Sequence, residues 1–257
     1  MAGAVATVAA LTAGCGGSGG STGPSAAAGR AAATATTAAP GPGTDNGAAG
    51  QPAAQILQRS AQALRDARSA RAVGTIAGGG QPITMDLRLD TAGNCTGTLS
   101  QSGVGGFQVV KAGQQLWVKP DQAFWQNQGG SAPAQLGDRY LKTTADDPDF
   151  GEIGSLCDLG ALADQLGSAT DDLTKGATTT IQGRPAVPLS RSTDTGTATL
   201  YVAADGQPVP LRLEQDVGAV DFSDFGTPVP SATPGPDQSL DIDQLQQQQP
   251  ESSPTTV

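Results

Sequence analysis

The sequence predicts an α+β domain in the middle of the chain, built from antiparallel strands and a few helices. Three observations predict it. Every Phe, Trp and Tyr lies between Phe107 and Phe225, in a chain of only 4% aromatic residues. Ile83, Met85, Leu87 and Leu89 alternate with Thr84, Asp86, Arg88 and Asp90, the period-two mark of a strand with one buried and one wet face. Ile56, Leu57, Ser60, Leu64, Ala67 and Arg71 recur instead at helical spacing. The folded unit is placed at residues 53–228, enough chain to bury about 70% of its unfolded surface.

Ahead of that unit, residues 1–14 are small, apolar and uncharged and end in Thr12-Ala13-Gly14-Cys15. A short apolar run closing on small residues before a Cys reads as the end of a lipoprotein signal peptide. Cys15 would then carry the lipid, anchoring the protein on the extracytoplasmic side of the cell membrane. Two features depart from that pattern: Thr12 stands where such signals usually carry Leu, and no basic segment precedes the run. The competing reading is a chance Cys in an Ala/Gly leader. Residues 15–52 are dominated by Gly, Ala, Ser, Thr and Pro. They bury too little apolar surface to offset the entropy of ordering, and are predicted to be a disordered tether. The tail 229–257, rich in Pro, Ser, Thr and Gln, is predicted to be disordered for the same reason.

Within the domain, a helix is predicted over 53–71, stopped by Gly74. The strand over Ile83–Asp90 follows, then a turn at Thr91-Ala92-Gly93-Asn94. Short strands are predicted at Thr96–Gln101, Gly106–Lys111 and Gln115–Lys119, the last two joined by the Gly-containing loop Ala112-Gly113-Gln114. Ile153, Leu156, Leu159, Leu162, Leu166 and Leu173 are spaced for one or two short helices. Strands resume at Ala177–Gln182, Ala186–Ser190, Thr197–Ala203, Val209–Gln215 and Val217–Phe222, with Asp205-Gly206 as a hairpin turn.

Composition excludes several function classes. The formal net charge is −10, which repels phosphate backbones and argues against a nucleic-acid partner. Histidine is absent, removing the commonest general base and metal ligand together with the Ser-His and Cys-His nucleophile pairs. No phosphate loop or dinucleotide fingerprint is present. The one G-x-S-x-G match, Gly16 to Gly20, lies in the tether without a preceding strand. The chain is therefore expected to be no enzyme, with no catalytic residue, metal or cofactor. Asp146, Asp147, Asp149 and Glu152 lack the spacing of a calcium loop and read as a solvated segment before a helix. Cys95 and Cys157 are expected to pair, as leftover cysteines of exported proteins usually do; the alternative is two buried free thiols.

Several stretches carry a family resemblance: Leu116-Trp117-Val118-Lys119; Leu173-Thr174-Lys175-Gly176 with Ile181-Gln182-Gly183-Arg184-Pro185-Ala186-Val187; Leu200-Tyr201-Val202 with Asp205-Gly206-Gln207-Pro208; and Val220-Asp221-Phe222-Ser223-Asp224-Phe225-Gly226. Their order resembles the LppX/LprG glycolipid-carrier lipoproteins and, more distantly, the lipoprotein carrier LolA. The resemblance covers about residues 53–228. It implies a curved antiparallel sheet, a half-barrel, wrapped around helices, with an apolar cavity that takes the acyl chains of a lipid or glycolipid. Under that implication Ile83, Met85, Leu87, Leu89, Val109, Leu116 and Val118 line the cavity, with Trp117 and Trp125 at its mouth. The residues alone leave a second reading open: the same row is an ordinary core facing the helix, and the protein is an interaction or sensory module with its interior filled.

Overall fold

The first helix, α1 (Ala53–Ala67), ends earlier than its periodicity suggests. Arg68 takes the left-handed conformation at φ 64°, its N–H bonded to Arg65 O, and the chain turns at once into strand β1 (Ser69–Ile76). This strand is hidden in the sequence because its inward residues are the small Ala70 and Ala72, which suit a helix equally well. Gly74 is no helix stop. It lies mid-strand at φ 150°, where an added Cβ would collide with the carbonyl oxygen of Ala219. The computed structural model describes residues 43–76, 81–131, 136, 138–193, 196–242 and 244. Cys15, the signal segment 1–14, the tether as far as 42 and the tail beyond 244 lie outside the described residues.

From β1 the chain meanders through β2 (Ile83–Asp90), β3 (Cys95–Gln101), β4 (Gly105–Ala112) and β5 (Gln115–Pro120). A one-turn helix α2 (Gln122–Asn127) follows, capped by the Asp121 carboxylate accepting from Phe124 N. After β6 (Tyr140–Thr144) come the covering helices α3 (Gly151–Leu156) and α4 (Leu159–Ser168). The remaining strands are β7 (Thr174–Lys175), β8 (Thr179–Ile181), β9 (Arg184–Thr193), β10 (Gly196–Ala203), β11 (Pro210–Gln215), β12 (Gly218–Ser223) and β13 (Ser239–Asp241). Strands β2 to β5 and β9 to β12 lie where the period-two pattern predicts strands. The elements α2, β6, β7 and β13 are too short or too polar to show a period.

All described strands join one sheet in the order β13-β6-β5-β4-β3-β2-β1-β12-β11-β10-β9-β7, with β8 on β9. Neighbours are antiparallel except β13 beside β6, which is parallel. The result is an α+β half-barrel, a curved sheet with helices on its inner face. Leu64 of α1 and Leu159 and Ala163 of α4 pack on Leu87, Leu89, Leu99 and Val109. Toward the N-terminal end of α1, Ile56 and Leu57 pack on Val187, Leu189, Leu200 and Val202 of β9 and β10. The Arg65–Asp164 ion pair at 2.6 Å links α1 to α4.

The domain extends past both boundaries set from composition. Residues 43–52 dock rather than trail: Asn46 N donates to Ala204 O at 3.0 Å, its amide donates to Ala203 O at 2.9 Å, and Ala48 is buried. Local side-chain bonds explain why this Gly- and Ala-rich segment orders. Asp45 and Asn46 accept from the N–H groups of Gly47 and Ala48 at 2.8 and 2.9 Å, replacing the bonds a helix or strand would supply. At the other end, β13 pairs Leu240 with Leu141, inside the segment predicted to be a disordered tail.

The wet face of β1 and β2 holds an ion pair, Arg71 to Asp86, at 2.6 Å. The Arg71 hydrogen bond holds the Asp86 carboxyl below its ordinary value of 3.8. A carboxylate depressed in the folded state stabilises the fold at pH above its unfolded value and loses that contribution as pH falls through the folded one. Asp86→Asn is therefore expected to flatten the acid limb of a melting-temperature profile below about pH 4. The effect is modest, because both partners are over a third exposed. An unchanged acid limb in the variant would remove this pair from the account.

Candidate functional site

Six of the residues expected to line a cavity, Met85, Leu87, Leu89, Val109, Leu116 and Val118, do converge on the inner face of the sheet. They form one cluster with Leu64, Leu159 and Ala163, and none is more than 8% exposed. They lie in the buried core beneath α1 and α4, where Leu64, Leu159 and Ala163 pack against them. Trp117 points the other way. It sits between Leu116 and Val118 on β5, pairs in register with Val110 and Lys142, and is buried on the outer face. Of the nine expected residues, Ile83 lines a cleft at the end of the sheet.

That cleft, about 320 Å³, opens at the end of the sheet where β2 begins and β3 ends. Ile83, Leu99 and Phe107 form its floor; Phe124 of α2 stands on one side, and Phe150, Ile153 and Leu156 on the other. Phe107 and Phe124 meet edge to face, ring centroids 5.1 Å apart, and Trp125 packs edge-on against Phe124 at 5.0 Å. Trp125 thus supports the cleft from behind its aromatic wall. Ile83, Phe107, Phe150, Ile153 and Leu156 also pack on the main core, so the apolar wall of the cleft is continuous with that core. Its volume is at the lower end of ligand pockets, about 300–1,000 Å³.

Local sequence places these walls. Gly105 begins β4 at φ 127°, and a Cβ there would collide with the backbone of Phe124. Only glycine lets α2 lie this close to the strand. On the opposite side, Asp147 organises the loop before α3. It accepts from Thr143 Oγ1 at 2.6 Å and from the N–H groups of Asp149 and Phe150 at 2.8 and 3.3 Å. Residues 146–150 are a loop tied by the Asp147 carboxylate, which sets Phe150 at the entry of α3, with Glu152 in the first turn of the helix. The disulfide between Cys95 and Cys157, Cα atoms 5.4 Å apart, clamps the end of α3 to the start of β3. Both cysteines are fully buried.

Sequence reasoning missed Leu99, Phe107, Phe124 and Phe150 as site residues. One signal was available: three of the chain's five Phe belong to this cleft. Phe107, Phe124 and Phe150 are far apart in sequence, however, and only the packing of α2 on β4 and the β6–α3 connection bring them together.

A second groove, about 840 Å³, lies between α1, the start of β9 and the β10–β11 connection. By strand register it is at the opposite end of the sheet from the Phe-lined cleft: Ala203 and Arg184 lie at the strand ends that align with Ser69, while Ile83 pairs with Ile76. Its wall is largely Ala and Gly together with the Arg184–Asp205 pair, 2.7 Å apart. Asp205 is 5% exposed, and its backbone bridges Asp45, so this pair also holds the docked segment 43–48. Arg184→Ala is expected to cost about 1–3 kcal/mol, because it strands a buried carboxylate. Chemical denaturation checks the value, and a loss under about 0.5 kcal/mol would show that water reaches Asp205.

Comparison with known proteins supports the architecture. No protein-family model matches the sequence, and no curated protein does. Among solved structures, the chain is similar to LprF from Mycobacterium bovis, with a TM-score of 0.50 at 17% identity over 71% of this chain and 96% of that one. It also aligns with the MucA/MucB complex of Pseudomonas aeruginosa, at 17% identity over 72% of this chain and 59% of that one, with a TM-score of only 0.30. The chain shares the fold of LprF, and the likeness spans nearly all of that protein.

Proposed function

We propose that this protein is an envelope lipoprotein that shelters an acyl chain of a lipid or acylated ligand in the Phe-lined cleft, without chemistry, while the Cys15 lipid holds it on the extracytoplasmic face of the membrane. The observation that supports the reading is the cleft itself: an apolar cleft at the end of the half-barrel, lined by Phe107, Phe124, Phe150, Ile153 and Leu156, whose wall is continuous with the core. Affinity comes from removing methylenes from water, about 0.8 kcal/mol each. A cleft of this size takes part of one chain, so binding is reversible and suits a carrier that must release its cargo.

The test uses the full chain with Cys15→Ser, exported by a heterologous signal so that the disulfide forms and no covalent lipid confuses the mass. Native mass spectrometry is expected to show a co-purified lipid that organic extraction removes. Ile153→Trp, which fills the cleft from α3, is expected to reduce uptake of a fluorescent fatty acid by about tenfold while the melting temperature stays close to the parent. A protein that arrives empty and takes up no lipid when offered would overturn the reading. The packed inner face then favours the second reading, an interaction module on the same fold whose interior is filled.

A further inference from the structure

The charge around the cleft is one-sided. Its polar lining consists of Ser100, Gln101, Gln128, Asp149 and Glu152, with no Lys or Arg among the lining residues. Asp149 and Glu152 are exposed at the rim, where the head of a lipid whose chain entered between Phe124 and Phe150 would rest. The wider surroundings repeat the pattern. The stretch 143–174, which supplies α3 and α4, carries seven Asp and one Glu and no basic residue. On the facing strand, Arg88 of β2 is turned to the outer face, where it pairs with Asp224 at 2.8 Å. Lys119 of β5 is paired with Asp138 at 2.6 Å.

An anionic head placed at this mouth meets two carboxylates beside a low-dielectric apolar wall, with no Lys or Arg among the described lining residues to pair with it. Like charges juxtaposed at an interface select strongly against the wrong partner. A hydroxyl-rich uncharged head meets no such repulsion, and its O–H groups donate to the same carboxylates and to the amide oxygens of Gln101 and Gln128. We infer that Asp149 and Glu152 are specificity determinants that exclude anionic lipids, so that the occupant of the cleft is an acyl lipid with an uncharged, hydroxyl-bearing head. This inference rests on the acyl-binding reading above and adds the class of ligand to it.

The experiment compares two probes with the same pyrene-labelled acyl chains, a diacylglycerol and a phosphatidylglycerol, offered to the full chain carrying Cys15→Ser at low ionic strength. The diacylglycerol is expected to bind at least about tenfold more tightly. Asp149→Asn with Glu152→Gln is expected to tighten phosphatidylglycerol binding and, by exchanging the carboxylate acceptors for weaker amide oxygens, to weaken diacylglycerol binding slightly, so that the gap between the two closes; added salt is expected to narrow the gap in the parent but not in the variant. Both substitutions are on exposed side chains, so folding is preserved, as the melting temperature checks. Equal affinities, or a preference that survives the double substitution, would overturn the selectivity and leave acyl binding standing. Uptake of neither probe would overturn both.

Discussion

Replacing Cys95 and Cys157 together by Ala is expected to lower the melting temperature by about 10 °C. The bridge spans 62 residues, and closing a loop of that length removes unfolded-state entropy worth about 4 kcal/mol. For a domain of this size each kcal/mol moves the midpoint by about 2–4 °C. The site shares in the loss. Cys157 follows directly on Leu156, and α3 carries Ile153 and Leu156 of the cleft wall. Without the clamp, α3 is held to the sheet by its partly buried apolar side chains alone. Acyl uptake is therefore expected to weaken along with stability, and scanning calorimetry with a fluorescent fatty-acid titration measures both. A shift of less than about 3 °C would mean that the reduced chain already keeps β3 and α3 together in its unfolded ensemble.

Leu87→Ala is expected to cost about 2–5 kcal/mol with little change in acyl uptake, whereas Ile83→Ala, four residues earlier on the same strand, is expected to cost less and weaken uptake more. Leu87 is fully buried beneath α1 and α4, and its truncation leaves a cavity that the surrounding leucines cannot close. Ile83 is half-buried at the cleft floor, where the lost methylenes are partly wet already. Urea unfolding gives the stabilities and fluorescent fatty-acid titration gives the uptake. A cost under about 1 kcal/mol at Leu87 would show that the inner face is less tightly packed than the structure draws it, and would move the acyl site from the cleft to the space under the helices.

The pair Leu87 and Ile83 also shows what was legible from residues alone. Strict alternation from Ile83 to Asp90 was sufficient to place the strand and to say which side chains turn inward. It was not sufficient to separate core from cavity wall, because an apolar residue has the same periodicity whether a leucine or a ligand lies opposite. Trp117 makes a related point: its neighbours Leu116 and Val118 are both inward, so it is outward, and nothing in the local alternation says that this outward side chain is buried. The helix boundary at Ala67 was missed because Ala70 and Ala72 fit either period, and Arg68 in the left-handed conformation leaves no compositional trace.

The order of helix, meander, short helices and second meander was determined by the sequence, since each element of sufficient length carries its own hydrophobic period and its own turn residues. So was the pairing expected of Cys95 and Cys157, and so was the acidity that shapes the cleft rim. Tertiary structure alone decided that β1 joins the two meanders between β2 and β12, that residues 43–48 dock beside Asp205, and that Phe107, Phe124 and Phe150 meet at one opening. Periodicity is a local property of a few consecutive residues. Filling or leaving a space is a property of which distant surfaces are brought within van der Waals reach, and that is settled only when the helices lie down on the sheet.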